Sequence, residues 1–555
     1  MTGAECVWEE LEQLGSDTVF GVPGGAVLPL VDALSRHPLM PFVVTRHESA
    51  AIHAADGYAR VSGKIGVALV TSGPGGTNAL TGLMTAMTDS VPLVVLVGQV
   101  PLPLVGSDAF QEADLFTMAL SVVKHSWKVE RAQDAGWIVR EAYQLALAGR
   151  PGPVMVELPK DVQMGEVSAD AVAAVKPLEK QTPGKEWTAT TKARLRAYLG
   201  RAKRPVFYVG GGVTASDTGD LVRRWAERFD APVVTTLMGL GTVPSSHPLV
   251  VGMLGMHGTY AANQAIQASD LVIALGVRFD DRVTGRVDHF APDARVIHVE
   301  IDPGERNKIV TPDVTLTGDL RTVLPRLDPF IPRAQHPEWR SIVQQWQDEH
   351  PVRIPKAPPG HLSSPQVLAN LSRVLTSEDV VVTDVGQHQM WSALVIGRDR
   401  PRRFVTSGGA GTMGYGLPAA LGARLGQRSG RVVLVSGDGS FQMNFGELAT
   451  LAQYQLAVGI VVMNNGGHGM VRQWQDLFHG QRRHGVSLKN PDFVALARVF
   501  GIPGFSVKTE DQWQEAITAV RDLSGPWLLE VLIDPDEMVF PMVPAGKSLS
   551  EVIEG

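Results

Sequence analysis

Cysteine is almost absent from this chain of 555 residues. Cys6 stands alone, so no intrachain disulfide can form, and a reducing compartment is the expectation. Positive charge is not in excess either. The 50 Lys and Arg against 57 Asp and Glu leave a formal net charge of −7, which argues against nucleic acid or an anionic membrane as partner. Long apolar runs are missing. Those present are short and broken by Gly, Pro or polar residues, so no membrane span is expected. Neither a signal peptide nor an Arg/Ser-rich transit peptide is visible, because Val7-Trp8 through Leu11 and Leu14 is already an amphipathic pattern. The expectation is a cytoplasmic protein. No short-period repeat is found.

What is there describes a globular chain. Hydrophobic residues make up 44% and charged residues 19%, the composition of a soluble protein. The length exceeds what one core holds, which predicts about three domains.

Residues 1 to 162 alternate helix and strand patterns. The strands Thr18-Val19-Phe20, Phe42 to Thr45, Gly66 to Thr71 and Leu93 to Val97 each end in a loop of Gly, Pro or polar residues. This is the grammar of a doubly wound α/β fold. Glu48 falls just past a strand, at a helix start, where an acid is favoured by the helix dipole. Residues 163 to 187 carry scattered charge, Pro and Gly and read as a linker. A second unit spans 188 to 335, with Val206 to Val209 leading into Gly210-Gly211-Gly212 and Leu271 to Leu275 leading into Gly276 to Arg282. A glycine triplet after a strand is weak support for a nucleotide, since many tight turns share it. Pro-rich residues 331 to 364 read as a tether with a helix near Trp339 to His350. A third unit spans 365 to 540. The predicted class is α/β, with three doubly wound parallel-sheet domains.

The chemistry concentrates between 432 and 474. Val432 to Ser436 reads as a buried parallel strand ending in Gly437-Asp438-Gly439-Ser440, a turn expected to put its acid on an exposed bend. Asn444 and Glu447 are spaced as an N-cap and its capping-box partner, predicting a helix to about Tyr454. Val458 to Met463 reads as the next strand and ends in Asn464-Asn465. A right-handed crossover leaves Asp438 and Asn465 at carboxyl ends of parallel strands, the edge where open α/β sheets bind ligands. One carboxylate, one amide oxygen and a nearby backbone carbonyl suit Mg²⁺, which takes few protein ligands and adds phosphate oxygens and water. The Gly-rich turn admits phosphates to the backbone.

The spacing of Gly-Asp-Gly and Asn-Asn resembles the signature of thiamine diphosphate enzymes. Further stretches narrow the likeness. They include R-H-E at Glu48, A-A-D-G-Y-A-R, T-S-G-P-G, D-A-F-Q-E, R-F-D-D-R-V-T-G, V-G-Q-H-Q-M-W, S-G-G-A-G-T-M-G and M-V-R-Q-W-Q. Together they cover nearly the whole chain and resemble the FAD-containing acetohydroxyacid synthase (acetolactate synthase) catalytic subunits.

The resemblance implies the following roles. Glu48 bonds the cofactor's aminopyrimidine, near Gly25, Pro74 and Asn78, with Gln111 close to the reacting centre. Asp438, Asn465 and the Gly467 carbonyl bind Mg²⁺. Val385, Gly386, Gln387, His388, Gly437, Gly439, Ser440, His468, Gly469 and Met470 surround the diphosphate end. Gly411 and Met413 hold the pyrimidine, with Met413 as the wedge that bends the cofactor. Arg150, Gly211, Thr236, Leu237, His257, Gly276, Arg278, Asp280, Arg282, Glu300, Ile301 and Asp319 match FAD-contacting segments. Trp474 walls the acceptor pocket and, with Pro101, Ala109, Lys160 and Met256, a sulfonylurea-type herbicide channel.

The implied reaction decarboxylates pyruvate and joins the two-carbon unit to pyruvate or 2-ketobutyrate. A homodimer or homotetramer with its cofactor between subunits is implied, with a small regulatory subunit as possible partner. An FAD-dependent pyruvate oxidase and a catalytically dead binding paralogue are the alternatives. The chain departs from the family at Gly446, at Gly466-Gly467-His468 and at Phe478-His479-Gly480, which bears on the lid over the site.

Overall fold

The computed structural model describes residues 1–168 and 186–555, so most of the predicted linker lies outside the described residues. The central strands of the sheets are apolar on both faces. Leu93–Gln99 and Val432–Gly437 are buried at every position, the mark of parallel strands covered by helices on both sides. Accordingly every strand pairing is parallel and the strands form three six-stranded sheets.

The first sheet contains β1 (Val19–Val22), β2 (Phe42–Val44), β3 (Gly66–Val70), β4 (Leu93–Gln99), β5 (Ser126–Lys128) and β6 (Pro153–Pro159), in the order β2-β1-β3-β4-β6-β5. The central sheet contains β7 (Pro205–Val209), β8 (Val233–Thr235), β9 (Val250–Met253), β10 (Leu271–Leu275), β11 (Arg295–Glu300) and β12 (Val314–Thr317), in the order β12-β11-β10-β7-β8-β9. The third contains β13 (Val380–Thr383), β14 (Phe404–Val405), β15 (Val432–Gly437), β16 (Val458–Asn464), β17 (Gly504–Val507) and β18 (Trp527–Leu532), in the order β14-β13-β15-β16-β18-β17.

The first and third sheets share one topology, which their sequences do not reveal. The central sheet has the dinucleotide-fold order. The winding direction reverses between β1 and β3, between β7 and β10, and between β13 and β15. Ligands of open α/β sheets bind in the crevice that opens there.

The outer sheets meet through small residues. The helix Glu48–Ser62 lays Ala51, Ala54, Ala55 and Gly57 against Ala419, Ala420, Gly422 and Ala423 of the helix Gly416–Gly426, inside one core cluster built from both units. Beyond β18 the chain returns to the central unit. Val543 and Leu549 join its core, and Val543 N–H donates to Met256 O at 2.7 Å.

Two local expectations fail. Asp438 does not sit on an exposed bend. It is the first residue of the helix Asp438–Asn444 and only 2% exposed. Nor do Asn444 and Glu447 form a capping box. The chain continues through a 3₁₀ turn, Phe445–Glu447, into a separate helix, Leu448–Gln453. Tertiary partners capture both side chains. Asn444 Nδ2 donates to Gly414 O at 2.7 Å, and Glu447 accepts from Arg46 N–H at 2.8 Å and the Thr450 hydroxyl at 2.6 Å.

Candidate active site

Three groups of the expected residues gather at the three crevices. At the first, Glu48 opens its helix and accepts from Asn78 Nδ2 at 3.0 Å. Asn78 stands on the helix Pro74–Asp89, which starts where β3 ends. A Cβ on Gly73 would meet the Gln111 backbone at 2.8 Å, and one on Gly24 would meet Thr71 at 2.6 Å. The Gln111 and Gly25 loops therefore close on the same strand end. Gln111 is exposed, in a left-handed backbone conformation (φ +60°).

At the third crevice, β13 runs into Asp384-Val385-Gly386 and the helix Gln387–Val395, while β15 runs into Asp438. His388 is buried, and its Nε2 has no hydrogen-bond partner. Its ring lies against Gly437, where any Cβ would come within 2.8 Å of Nδ1. Burial lowers the His388 pKa to about 3, so the ring is neutral. Ser440 Oγ donates to Val385 O at 3.0 Å and ties the two loops together.

Burial raises the Asp438 pKa above its ordinary range, opposed by a hydrogen bond from Asn490 Nδ2 to Oδ2 at 2.6 Å. A buried carboxylate at a strand end suits a cation. Asn465 lies at the neighbouring strand end, its Nδ2 3.4 Å from Gln387 Oε1 and its Oδ1 accepting from Gly467 N–H at 3.1 Å. Among the described residues no three His, Cys, Asp or Glu side chains converge as a metal site. A cation here would use one carboxylate with amide, carbonyl and phosphate oxygens, which fits a hard, octahedral ion.

The loop Gly466-Gly467-His468 is pinned. Gly467 bridges Ser487, and His468 N–H donates to Val486 O at 2.8 Å. The His468 ring covers Gly439, and Gly469 and Met470 begin the next helix. At Gly446 the nearest atom to an added Cβ is Arg46 Cβ at 3.9 Å, so that departure leaves open space.

Gly411 and Met413 lie on an irregular loop between β14 and the helix Gly416–Gly426. Asp384, whose pKa burial pushes up to about 6, accepts from Gly414 N–H at 2.9 Å and Gly416 N–H at 3.1 Å. The loop and Glu48 bond different points of the helix Pro74–Asp89. Thr412 reaches Thr85, hydroxyl to hydroxyl at 2.7 Å, whereas Glu48 bonds Asn78. Thr85 and Asn78 are seven positions apart on one helix, roughly 10 Å along its axis.

At the central crevice Gly276 has φ +58°, and a Cβ there would stand 2.6 Å from Gly212 Cα, so the two turns need bare backbone. Gly211 and Arg278 border this contact, and Thr236 caps the short helix Leu237–Gly239. Arg282 N–H donates to Asp280. Burial pushes Glu300 up to about 7 despite bonds from Ile301 and Asp302 N–H, and lowers His257 to about 4. The His257 Nδ1 is buried without a partner, which suits a ligand with polar edges. Arg150 reaches across from the first unit to Asp302 and Glu305. Asp319 caps the helix Leu320–Leu327 through Arg321 N–H.

Trp474 shares the helix Gly469–Phe478 with Met470. It is half-buried rather than a core tryptophan. The Arg282 guanidinium lies 5.9 Å from its ring centroid and also approaches Met256 Sδ. Beside Pro101 and Lys160, Leu102 N–H donates to Asp161 at 3.1 Å. Ala109 N–H donates to Glu112.

Asn490 and Asp384 were not singled out from sequence. Asp384 had a usable signal, an acid at a strand end. Asn490 had none, because its partner Asp438 is 52 positions away.

Comparison with known proteins agrees with this geometry. Three family models match: "Thiamine pyrophosphate enzyme, N-terminal TPP binding domain" over residues 1–118, the central domain over 193–327, and the C-terminal TPP binding domain over 384–531. The chain is 45% identical to the acetolactate synthase isozyme 2 large subunit of Escherichia coli, covering all of both proteins. It is 44% identical to acetolactate synthase large subunits of Parasynechococcus marenigrum and Corynebacterium glutamicum, covering all of this chain and 91% and 90% of theirs. With the three thiamine pyrophosphate enzyme domain models matched along one chain and likeness over its full length, the chain belongs to the acetolactate synthase large-subunit family of thiamine diphosphate enzymes.

Proposed function

We propose that this chain decarboxylates pyruvate and joins the two-carbon unit to a second 2-ketoacid, giving 2-acetolactate or 2-aceto-2-hydroxybutyrate in branched-chain amino-acid biosynthesis. Likeness over the full length of an acetolactate synthase large subunit carries this reading. When bound, thiamine diphosphate supplies a thiazolium that takes up the electron pair CO₂ leaves behind.

The chain's residues do the rest. Glu48 holds the proton at N1′ of the aminopyrimidine. Asp438, Asn465 and the Gly467 carbonyl would hold Mg²⁺ against the diphosphate, with Gln387 and His388 lining that end of the site. Gly411 and Met413 seat the pyrimidine. Gln111 borders the reacting carbon, and apolar walls keep water from it. Gly211, Gly276, Arg278, Glu300 and their neighbours hold FAD, which is not reduced in the net reaction.

Glu48 and the Met413 loop bond different points of the helix Pro74–Asp89, at Asn78 and Thr85, which lie roughly 10 Å apart along its axis; this supports a complete site that takes Glu48 from a second copy, in an isologous dimer with two sites. The domain bounds 1–162, 188–335 and 365–540, the cytoplasmic location and pairing with a smaller subunit belong to the same reading. The last is supported by the relatives' names.

Product analysis tests the function. Pyruvate alone is expected to give acetolactate, and added 2-ketobutyrate to give acetohydroxybutyrate. The flavin band is expected to persist through turnover, whereas stoichiometric bleaching with pyruvate would assign an oxidase.

Trp474 bears on the choice of acceptor. 2-Ketobutyrate exceeds pyruvate by one methylene, worth about 0.8 kcal/mol against an apolar wall, and such differences reach ~10–200-fold in tight pockets. Trp474→Leu is expected to lower the ratio of acetohydroxybutyrate to acetolactate by ~4-fold or more while sparing acetolactate formation, and to weaken sulfonylurea inhibition. An unchanged product ratio would remove Trp474 from the acceptor wall.

A further inference from the structure

A buried charge cluster lies outside the machinery described so far. The Arg60 guanidinium bonds Asp56 at 2.6 Å and Asp89 at 2.9 Å, with both carboxylates fully buried and the Arg60 side chain 9% exposed. Burying such a triad is expensive, and one guanidinium leaves two carboxylates short of donors.

The missing donors come from the third unit. Gly408 N–H donates to Asp89 Oδ2 at 3.0 Å and Gly409 N–H to Oδ1 at 2.7 Å. The Tyr415 hydroxyl donates to Asp56 at 2.6 Å. Bonds of this kind are charge-assisted and stronger than neutral ones. Between them Thr412 meets Thr85. The segment they span contains Gly408, Gly409, Gly411 and Gly414 and no regular secondary structure between 406 and 415, so a free loop would lose much conformational entropy on ordering.

We infer that Asp89 is a positioning residue that sets the Gly408–Met413 loop in the conformation that receives the aminopyrimidine, an inference that rests on the assignment of that loop above. The far end of the loop is held within its own unit, by Asp384. At the near end the two successive N–H groups go to Asp89, while Thr412 N–H donates to Ser407 Oγ at 3.0 Å, so the Asp89 carboxylate fixes the start of the loop from which Gly411 and Met413 are set. The same helix bonds Glu48 through Asn78 at its other end.

The test separates the two ends of the cofactor. Apo-protein, wild type and Asp89→Asn, is titrated by calorimetry with Mg²⁺-pyrophosphate and, separately, with Mg²⁺-thiamine diphosphate. Pyrophosphate probes only the Asp438 crevice. Asp89→Asn is expected to bind pyrophosphate within about twofold of wild type and thiamine diphosphate ~10-fold or more weakly, the scale of a hydrogen bond to a charged group. Unchanged thiamine diphosphate affinity would overturn the inference. So would equal weakening of both ligands, which would make Asp89 a tether between units and nothing more. Wild type that binds both ligands equally would overturn the loop assignment and this inference with it. If Asp89→Asn does not fold, Thr85→Val, which removes the Thr412 contact together with a bond to Thr81 O within its own helix, takes the same titrations and faces the same outcomes.

Discussion

Glu48→Gln is expected to slow exchange of the thiazolium C2 proton by ~10²–10⁴-fold, the usual range for a lost general acid–base group, while leaving fold and cofactor binding intact. The local structure explains the separation. A Gln side chain can still accept the Asn78 amide hydrogen that Glu48 accepts at 3.0 Å. The charge lost from the first turn of the helix Glu48–Ser62 costs about 0.3–1 kcal/mol. A 10²–10⁴-fold rate loss is about 2.7–5.4 kcal/mol of barrier, so the catalytic effect dominates. Proton exchange followed by NMR on the reconstituted variant checks it, and an unchanged rate would take Glu48 out of the proton path.

Asp438→Asn is expected to abolish detectable binding of Mg²⁺-thiamine diphosphate without unfolding the chain. Loss of a residue that merely supports a metal ligand costs ~10–100-fold in affinity, so loss of the single carboxylate should cost more. Stability moves the other way. Burial raises the folded-state pKa of Asp438 above its unfolded value, so this group's contribution to stability is lost as pH rises out of the acid range through that raised pKa. In the apo-protein above that raised pKa the ionised carboxylate is therefore a liability, and there the neutral amide should melt no lower than wild type. Only wild type should then gain from ligand, by about 2.7 kcal/mol at a hundredfold excess over Kd. Thermal melts with and without Mg²⁺-thiamine diphosphate read both effects. A variant stabilised by ligand as much as wild type would remove Asp438 from the metal site.

The two variants also test assembly. If Glu48 completes the site of a second copy, mixed dimers of Glu48→Gln and Asp438→Asn chains carry one intact site each. Random re-association should then restore roughly a quarter of the sites, whereas sites built within one chain would restore none.

Sequence alone determined what depends on neighbours in the chain. Apolar β-branched runs ending in Gly-rich loops specified parallel strands, because a strand covered on both faces has no polar alternation to show. For the same reason Asp438 and Asn465 were legible as strand-end residues, since each directly follows the strand that positions it. Whatever is decided by partners distant in sequence escaped. Asn444 and Glu447 have the spacing of a cap, yet Gly414 and Arg46 compete for them and win. Asp438 looked like a turn acid, and only the sheet and the helix it opens show that it is buried. The common topology of the outer sheets, Asn490 beside Asp438, and Asp89 beneath a loop 319 and 320 positions further on all belong to tertiary structure. Hydrogen bonds to buried carboxylates form between whichever donors the fold brings within reach, and chain spacing carries no record of that meeting.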